Sequence, residues 1–199
     1  MTITVYVEGG GDNQDTIRRC RQGFAEYCKK VASDSHLKVV ACGGRDQAFK
    51  HFKIAAGRAN TNDSCALLVD SEGPVKTSAT PATHLHGRDR WDFSQLPSKQ
   101  VFLMVQAMEA WFLADRDALA TYYGHGFRRN ALPGDDRHIE AIPKDDLVPS
   151  LENASKDTKT KGQYHKTRHG FALLARIAPD RVEAGSPHAA SFHAFLRST

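Results

Sequence analysis

The stretch that decides the fold is an apolar run ending in acids, Ser64-Cys65-Ala66-Leu67-Leu68-Val69-Asp70-Ser71-Glu72-Gly73. A continuous apolar run of this length is typical of a β-strand that is covered by helices on both faces. Two strands are predicted before it, over residues 3–7 and 36–42, and one after it, over 100–106. Apolar residues at helical spacing occupy 15–31 and 46–59. This alternation predicts an α/β fold, with a mainly parallel four-stranded sheet between helices.

Composition indicates a globular protein. The chain has 199 residues, of which 25% are charged and 40% are hydrophobic, and its formal net charge is +4. No stretch approaches the roughly 18 consecutive apolar residues of a membrane span, and the N-terminus does not resemble a signal peptide. The four cysteines form no C-x-x-C pair, so we expect free thiols. We therefore predict a cytoplasmic protein with no membrane partner.

The predicted organisation is a core with an extension. The core covers residues 1–125 and carries a long polar insertion at 71–99, whose His-rich part at 84–86 is predicted to be a surface loop. Residues 126–199 are predicted to form a basic, mainly helical extension that packs on the core. Its cations are concentrated in one segment, Lys156, Lys159, Lys161, His165, Lys166 and Arg168, with Tyr164 among them.

Acids follow three of the four predicted strands. Glu8 follows the first strand, and Asp12 comes four residues later. Asp70 and Glu72 follow the third strand, and Glu109 follows the fourth. Because open parallel sheets bind ligands beyond the carboxyl ends of their strands, we expect these acids to lie close together. Gathered carboxylates repel one another unless a positive charge lies among them, and Mg²⁺ is the simplest such partner.

The glycines at 9–11 do not form a nucleotide-binding loop. A P-loop requires Lys and Ser or Thr after its glycines, whereas Asp12 follows here. A dinucleotide fingerprint requires a third small residue at the position of Gln14. The glycines instead allow the backbone to approach a phosphate closely, with a metal ion to offset the charge of Asp12.

Each of these acids also has a structural interpretation. Asp12 could be the N-cap of the first helix, and Glu8 a turn acid beside it. Asp70 and Glu72 could be polar residues that end a buried strand. Glu109 lies early in a helix, where a carboxylate complements the helix dipole whatever the function. The basic segment has the alternative interpretation of a solvated loop and helix start.

The motifs resemble those of the TOPRIM fold of topoisomerases, primases and the overcoming-lysogenization-defect nucleases. The resemblance consists of a strand followed by Glu8-Gly9 and a later hydrophobic strand followed by Asp70-Ser71-Glu72. Together with Met108-Glu109-Ala110-Trp111, these motifs more narrowly resemble a bacterial TOPRIM-like family labelled as a domain of unknown function. This resemblance covers most of the chain and implies a Rossmann-like TOPRIM core.

The resemblance also implies a metal site and its ligands. Glu8, Asp70 and Glu72 would hold Mg²⁺ or Mn²⁺, with Asp12 as an additional metal ligand. Glu109, which follows the fourth strand at the same edge of the sheet, is predicted as a further metal ligand from that position. Glu8 would also act as the general acid or base. Glu72 stands where the family usually has Asp, so a longer side chain must reach the metal ion.

We therefore predict a metal-dependent phosphodiesterase or nuclease. Glu8, Asp70 and Lys166 would be its catalytic residues. The residues predicted to bind nucleic acid, whose recognition is largely electrostatic, are Lys159, Lys161, Lys166 and Arg168.

By analogy with other proteins of this fold, we expect a role in bacterial genome defence or DNA repair, together with an ATPase partner. Two other functions stay open. One is a non-catalytic subunit that docks on an ATPase. The other is a metal-dependent hydrolase of small phosphorylated molecules, with the insertion at 71–99 as a lid.

Overall fold

The computed structural model describes residues 2–33, 36–58, 63–134 and 138–198. Its strands and helices in chain order are β1 (Thr2–Val7), α1 (Gln14–Val31), β2 (His36–Ala41), α2 (Arg45–Ala56), β3 (Asp63–Asp70), α3 (Pro81–Asp89), β4 (Val101–Met104), α4 (Glu109–Ala114), α5 (Arg116–Tyr123), α6 (Lys144–Ser155), α7 (Phe171–Leu174), α8 (Pro179–Gly185) and α9 (Pro187–Arg197). A π-helical turn, Lys166–Gly170, leads into α7. The predicted helix over 46–59 and both predicted segments, 1–125 and 126–199, include positions outside the described residues.

The four strands form one sheet in the order β2-β1-β3-β4, and all its pairings are parallel. The chain moves outward from β1 to β2 and then returns to the other side of β1 for β3. This reversal places a crevice between the carboxyl ends of β1 and β3, where open α/β sheets bind their ligands. The predicted α/β class, with a four-stranded sheet flanked by helices, is confirmed.

Alternate residues of β3 pack on opposite faces of the sheet. Ala66 and Leu68 are buried in the larger core cluster, which includes residues of α1 and of the C-terminal helices. Cys65, Leu67 and Val69 are buried in a second cluster with residues of α2 and α3. Both faces of the strand are therefore covered by apolar side chains, as its continuous apolar run predicts.

The C-terminal helices cover one face of the sheet and its β4 edge. The ring of Phe102 in β4 lies 5.4 Å from that of Phe192 and 5.1 Å from that of Phe195, both in α9. On α1, the hydroxyl of Tyr27 forms a hydrogen bond of 3.0 Å with Nε2 of His193, another buried residue of α9. Within the described ranges, no helix is both long enough and apolar enough to cross a bilayer.

The insertion at 71–99 is folded against the opposite face. Its His-rich part was predicted to be a surface loop, and this is wrong: residues 84–86 lie in α3, where Leu85 is buried in the second cluster. Trp91 stacks on Phe49 of α2 with ring centroids 4.5 Å apart, and its Nε1 donates to Asp46 Oδ1 over 3.1 Å. Burial of Leu85 and Trp91 explains why this polar segment is ordered.

The contact between α1 and α7 depends on Gly23. A Cβ at this position would lie 2.5 Å from the carbonyl oxygen of Phe171. We expect Gly23→Ala to destabilise the protein by about 1–3 kcal/mol through overpacking, although Ala is the better helix former. Gly87→Ala in α3 is the matched control, since a Cβ there meets nothing within 4 Å, and we expect it to stabilise by about 0.5–1 kcal/mol. Urea unfolding of both variants measures the difference. Equal effects of the two substitutions would contradict this close approach of α1 and α7.

Candidate functional site

Three carboxylates meet at the crevice between β1 and β3. Glu8 follows β1, Asp70 is the last residue of β3, and Glu72 lies two residues further on. Each offers one oxygen atom, and these atoms all lie within 4.8 Å of one another. The structure thus brings together the three residues that the sequence motifs selected as metal ligands.

The turn after β1 requires glycine. Gly10 has a φ of +98°, and a Cβ on it would lie 2.8 Å from the Cα of Ile17 in α1. The next helix is capped by Asn13, whose Oδ1 accepts from the backbone nitrogens of Asp15 and Thr16. The interpretation of Asp12 as this N-cap is therefore wrong. Asp12 is exposed, and it is not part of the cluster of three carboxylates.

The chain after β3 contains a residue in the left-handed region. Glu72 has a φ of 65°, and Gln106, after β4, has a φ of 67°. The two segments hold each other, because the nitrogen of Glu72 donates to the carbonyl oxygen of Gln106 and the nitrogen of Gln106 donates to Ser71 Oγ. Such a conformation in a non-glycine residue costs on the order of 1–3 kcal/mol and is concentrated at functional sites.

Asp70 is the most deeply buried of the three carboxylates, with 5% of its surface exposed. Its Oδ1 accepts a hydrogen bond of 2.8 Å from the backbone nitrogen of Met108, and its Oδ2 lies 4.0 Å from Nζ of Lys166. Burial raises the pKa of Asp70, and the neighbouring charge of Glu8 raises it further. Burial likewise raises the pKa of Glu8, although Arg45 opposes the shift.

Lys166 and Glu109 lie beside Asp70. Nζ of Lys166 is 3.5 Å from Oε1 of Glu109, which also accepts a hydrogen bond of 3.0 Å from the hydroxyl of Tyr164. Burial opposes protonation of Lys166, but the carboxylates of Glu109 and Asp70 outweigh it and raise its pKa. The side chain of Lys166 is 52% exposed, so its ammonium group is accessible to a ligand.

Glu109 is almost fully buried, and it does not belong to the cluster of three carboxylates. Its second oxygen, Oε2, has no hydrogen-bond partner within the described residues. A buried carboxylate oxygen without a partner costs about 1–3 kcal/mol, which the neighbouring Lys166 partly offsets. The structure therefore places Glu109 as the residue that holds the Lys166 ammonium group.

Basic side chains that the sequence analysis did not select surround the cluster. Arg45 NH1 lies 3.0 Å from Oε2 of Glu8, and Arg45 also forms two hydrogen bonds with Asp89, of 3.1 and 2.8 Å. Lys144 of α6 and Arg88 of α3 pair with Glu72. Burial alone would raise the pKa of Glu72, but the hydrogen bond and charge of Lys144 outweigh it and lower that pKa.

One signal for Arg45 was present in the sequence. It follows Gly43-Gly44 at the end of the second strand, the position at which the other strands carry acids. Lys144 and Arg88 gave no such signal, because their positions depend on how α6 and α3 pack on the core.

A cavity of about 390 Å³ opens on the cluster. Its lining includes Glu8 and Asp70, the turn at 9–11, Asp12 and Lys166. Asp12 thus lies at the same opening as the half-buried Glu8, the buried Asp70 and the side chain of Lys166. This gives the site a wall of glycine backbone, an acidic floor and the partly exposed side chain of Lys166.

The other residues predicted to bind nucleic acid are all exposed on the same segment. Lys159, Lys161 and Arg168 have no ion-pair partner within the described residues, and the Lys161 ammonium group lies 5.0 Å from the ring centroid of Tyr122. Exposed cations without a carboxylate partner are available to an anionic ligand. The structure therefore leaves their charge on the surface.

The donor set fits a divalent cation. Glu8, Asp70 and Glu72 supply only oxygen atoms, and oxygens on opposite sides of one Mg²⁺ are about 4.2 Å apart. Neighbouring oxygens are only about 3 Å apart, so a spacing of up to 4.8 Å needs up to about 2 Å of closure around a bound ion. A bound cation would replace part of the charge that Arg45 and Lys144 now supply.

Asp70 gives the metal-free protein a distinctive dependence on pH. Burial raises its pKa to about 8, above the ordinary value of 3.8, so this group's contribution to stability is fully present below about pH 3.8, falls as the pH rises and is lost by about pH 8. Asp70→Asn keeps the acceptor for Met108 and removes the charge. We expect its melting temperature to match the native protein at pH 4 and to exceed it by about 4–8 °C at pH 8.5.

Thermal unfolding in EDTA at the two pH values measures this difference. Asp180→Asn, on the surface of α8, is the matched control and should change neither value. An Asp70→Asn variant that is less stable than the native protein at pH 8.5 would contradict the predicted repulsion at the site.

A comparison with protein families found a match over most of the chain. The family model described as "Domain of unknown function (DUF4276)" matches residues 7–197, a span that includes the three clustered carboxylates and Lys166. Comparison with curated proteins and with solved structures found no match. The predicted resemblance to a family labelled as a domain of unknown function is therefore confirmed. The chain belongs to the DUF4276 family.

Proposed function

We propose that this protein is a Mg²⁺- or Mn²⁺-dependent phosphodiesterase that cleaves nucleic acid. The observation that carries the proposal is the position of the accessible Lys166 ammonium group, 4.0 Å from Asp70 and at the same cavity as Glu8. A cluster of carboxylates for a cation, beside a partly exposed ammonium group, matches the needs of a phosphodiester with its negative oxygens.

The chemistry of the donors supports these metals. Carboxylate oxygens are hard ligands that suit Mg²⁺ and Mn²⁺, whereas Zn²⁺ and copper sites use His nitrogen or Cys sulfur. Glu8, Asp70 and Glu72 would hold the ion. When bound, it would withdraw charge from the phosphate and assist departure of the leaving oxygen.

The chain's own residues supply the remaining functions. Tyr164 donates a hydrogen bond to Glu109, and Glu109 holds the ammonium group of Lys166. Lys166 would thereby keep a positive charge where negative charge develops on the phosphate. Glu8 lines the cavity and is the carboxylate placed to accept or donate a proton. The glycine turn at 9–11 lets a phosphate approach the backbone.

A TOPRIM relationship is part of the proposal. Its support is the placement of Glu8-Gly9 and Asp70-Ser71-Glu72 at the ends of the neighbouring strands β1 and β3. By the same analogy of fold, the protein would act in the bacterial cytoplasm, in genome defence or DNA repair, beside an ATPase.

The second candidate is a non-catalytic partner subunit of such an ATPase. The observation that favours it is the pairing of Glu72 with Lys144, Arg88 and Arg45. These cations balance the acids without a metal ion. Calorimetric titration with Mn²⁺ separates the two candidates, because only the phosphodiesterase requires the ion to displace part of this pairing.

Nicking of supercoiled plasmid DNA in the presence of Mn²⁺ tests the first candidate. We expect Glu8→Gln and Asp70→Asn each to lower the rate by at least about 100-fold, since each removes a charge that holds the ion. Lys166→Met should lower the rate by about 10²–10³-fold, as expected when one group that stabilises the transition state is lost.

Asp180→Asn, whose carboxylate is exposed on α8, is the matched control for the acidic variants and should retain the full rate. Undiminished nicking in both Glu8→Gln and Asp70→Asn would contradict the assignment of the site. Absence of both Mn²⁺ binding and nicking in the native protein would favour the non-catalytic subunit.

A further inference from the structure

A second depression lies beside the cavity of the acidic cluster. It has a volume of about 150 Å³, and its lining includes three arginines, Arg19 of α1, Arg168 of the π-helical turn and Arg176. Arg176 and Arg168 are exposed, and the side chain of Arg19 is 50% exposed. Three guanidinium groups around one depression are a strong local excess of positive charge.

The depression is adjacent to the cavity at the acidic site. Thr167 and Phe171 line both cavities, and Thr167 is the residue between Lys166 and Arg168. Lys166 lines the first cavity and Arg168 the second, on either side of Thr167 in the π-helical turn. The two cavities therefore lie on neighbouring sides of the same turn.

The positive charge extends beyond the depression through two cations that pack on the ring of Tyr122. The guanidinium group of Arg176 lies 5.2 Å from the ring centroid of Tyr122, and the Lys161 ammonium group lies 5.0 Å from the same centroid. Tyr122 thus brings together cations from two separate segments. The result is a band of positive charge formed by Lys161, Arg176, Arg168 and Arg19, which ends at Lys166.

Acids near this band only partly cancel its charge. Glu26 lines the depression and offsets one of the three positive charges, since its hydrogen bond of 2.8 Å from the neutral amide of Gln22 leaves its own charge in place. Asp15 pairs with Arg19 over 2.6 Å and also with Arg18. Arg168 has no side-chain hydrogen bond or ion pair within the described residues, so its charge is fully available.

We infer that this band is a second subsite, which binds the phosphate backbone of a nucleic-acid strand on one side of the cleaved bond. This inference rests on the proposed function for the chemistry at the acidic site. A small phosphorylated molecule needs only one anion site, whereas a strand presents a phosphate at every nucleotide and can contact both cavities. The band therefore favours a polymer over the small-molecule alternative.

The test is a fluorescence anisotropy titration of a labelled 20-nucleotide single-stranded DNA with the full chain, in EDTA and without metal. We expect the double substitution Arg168→Gln and Arg176→Gln to weaken binding by about 25-fold at 0.1 M salt. The slope of log Kd against log salt concentration should fall by about 1.4, because two phosphate contacts are lost.

Two further variants keep the test interpretable. Arg168→Gln alone should weaken binding by about 5-fold, and its side chain has no hydrogen bond or ion pair within the described residues whose loss could unfold the protein. The matched control is Lys50→Gln with Lys53→Gln, two exposed cations of α2, on the opposite face of the sheet. It removes the same charge and should change Kd by less than about 2-fold.

The inference is overturned if the arginine pair weakens binding no more than the lysine pair does. It is also overturned if the native chain binds inorganic phosphate but not the strand, or binds a poly-glutamate chain of equal charge as tightly as the DNA. Because the titration contains no metal, it is independent of cleavage. Arginine-dependent binding without nicking would overturn the proposed function alone, and nicking without arginine-dependent binding would overturn the subsite alone.

Discussion

The structure depends on a balance of charge at the carboxyl ends of β1 and β3. Two carboxylates about 4 Å apart repel one another by about 4 kcal/mol at an effective dielectric constant of about 20. Glu8, Asp70 and Glu72 lie at comparable distances, and Glu109 is buried nearby. A fold that gathers these acids must supply cations to the same place. In the metal-free protein the cations are basic side chains, and we propose that a divalent ion takes over part of their role.

This balance links distant parts of the chain. Arg45 comes from the start of α2, Arg88 from the insertion, Lys144 from α6, and Lys166 from the turn before α7. Each of these segments is fixed by apolar packing elsewhere, as Leu85 and Trp91 fix the insertion. The acidic cluster is therefore stable only when the insertion and the C-terminal helices are docked. A site of this kind forms together with the complete fold and not within an isolated strand.

The sequence predicted the acids better than their partners. Glu8, Asp70 and Glu72 follow parallel strands, whose carboxyl ends must share one edge of the sheet, so periodicity alone brings them together. No local pattern says which helix face will reach that edge, and Lys144 and Arg88 were missed for this reason. The same limit explains the error at 84–86, where the packing of Leu85 outweighs the polar composition. Glu109 was expected as a metal ligand, but its burial behind Lys166 depends on tertiary packing.

The central claim is that the carboxylates at the β1–β3 crevice hold a divalent cation. The most direct measurement is an anomalous difference map from crystals of the native protein soaked in Mn²⁺. We expect one strong peak within about 2.2 Å of an oxygen from each of Glu8, Asp70 and Glu72, a typical coordination distance for such an ion. A map with no peak there, with Arg45 and Lys144 still paired to the carboxylates at saturating Mn²⁺, would contradict it.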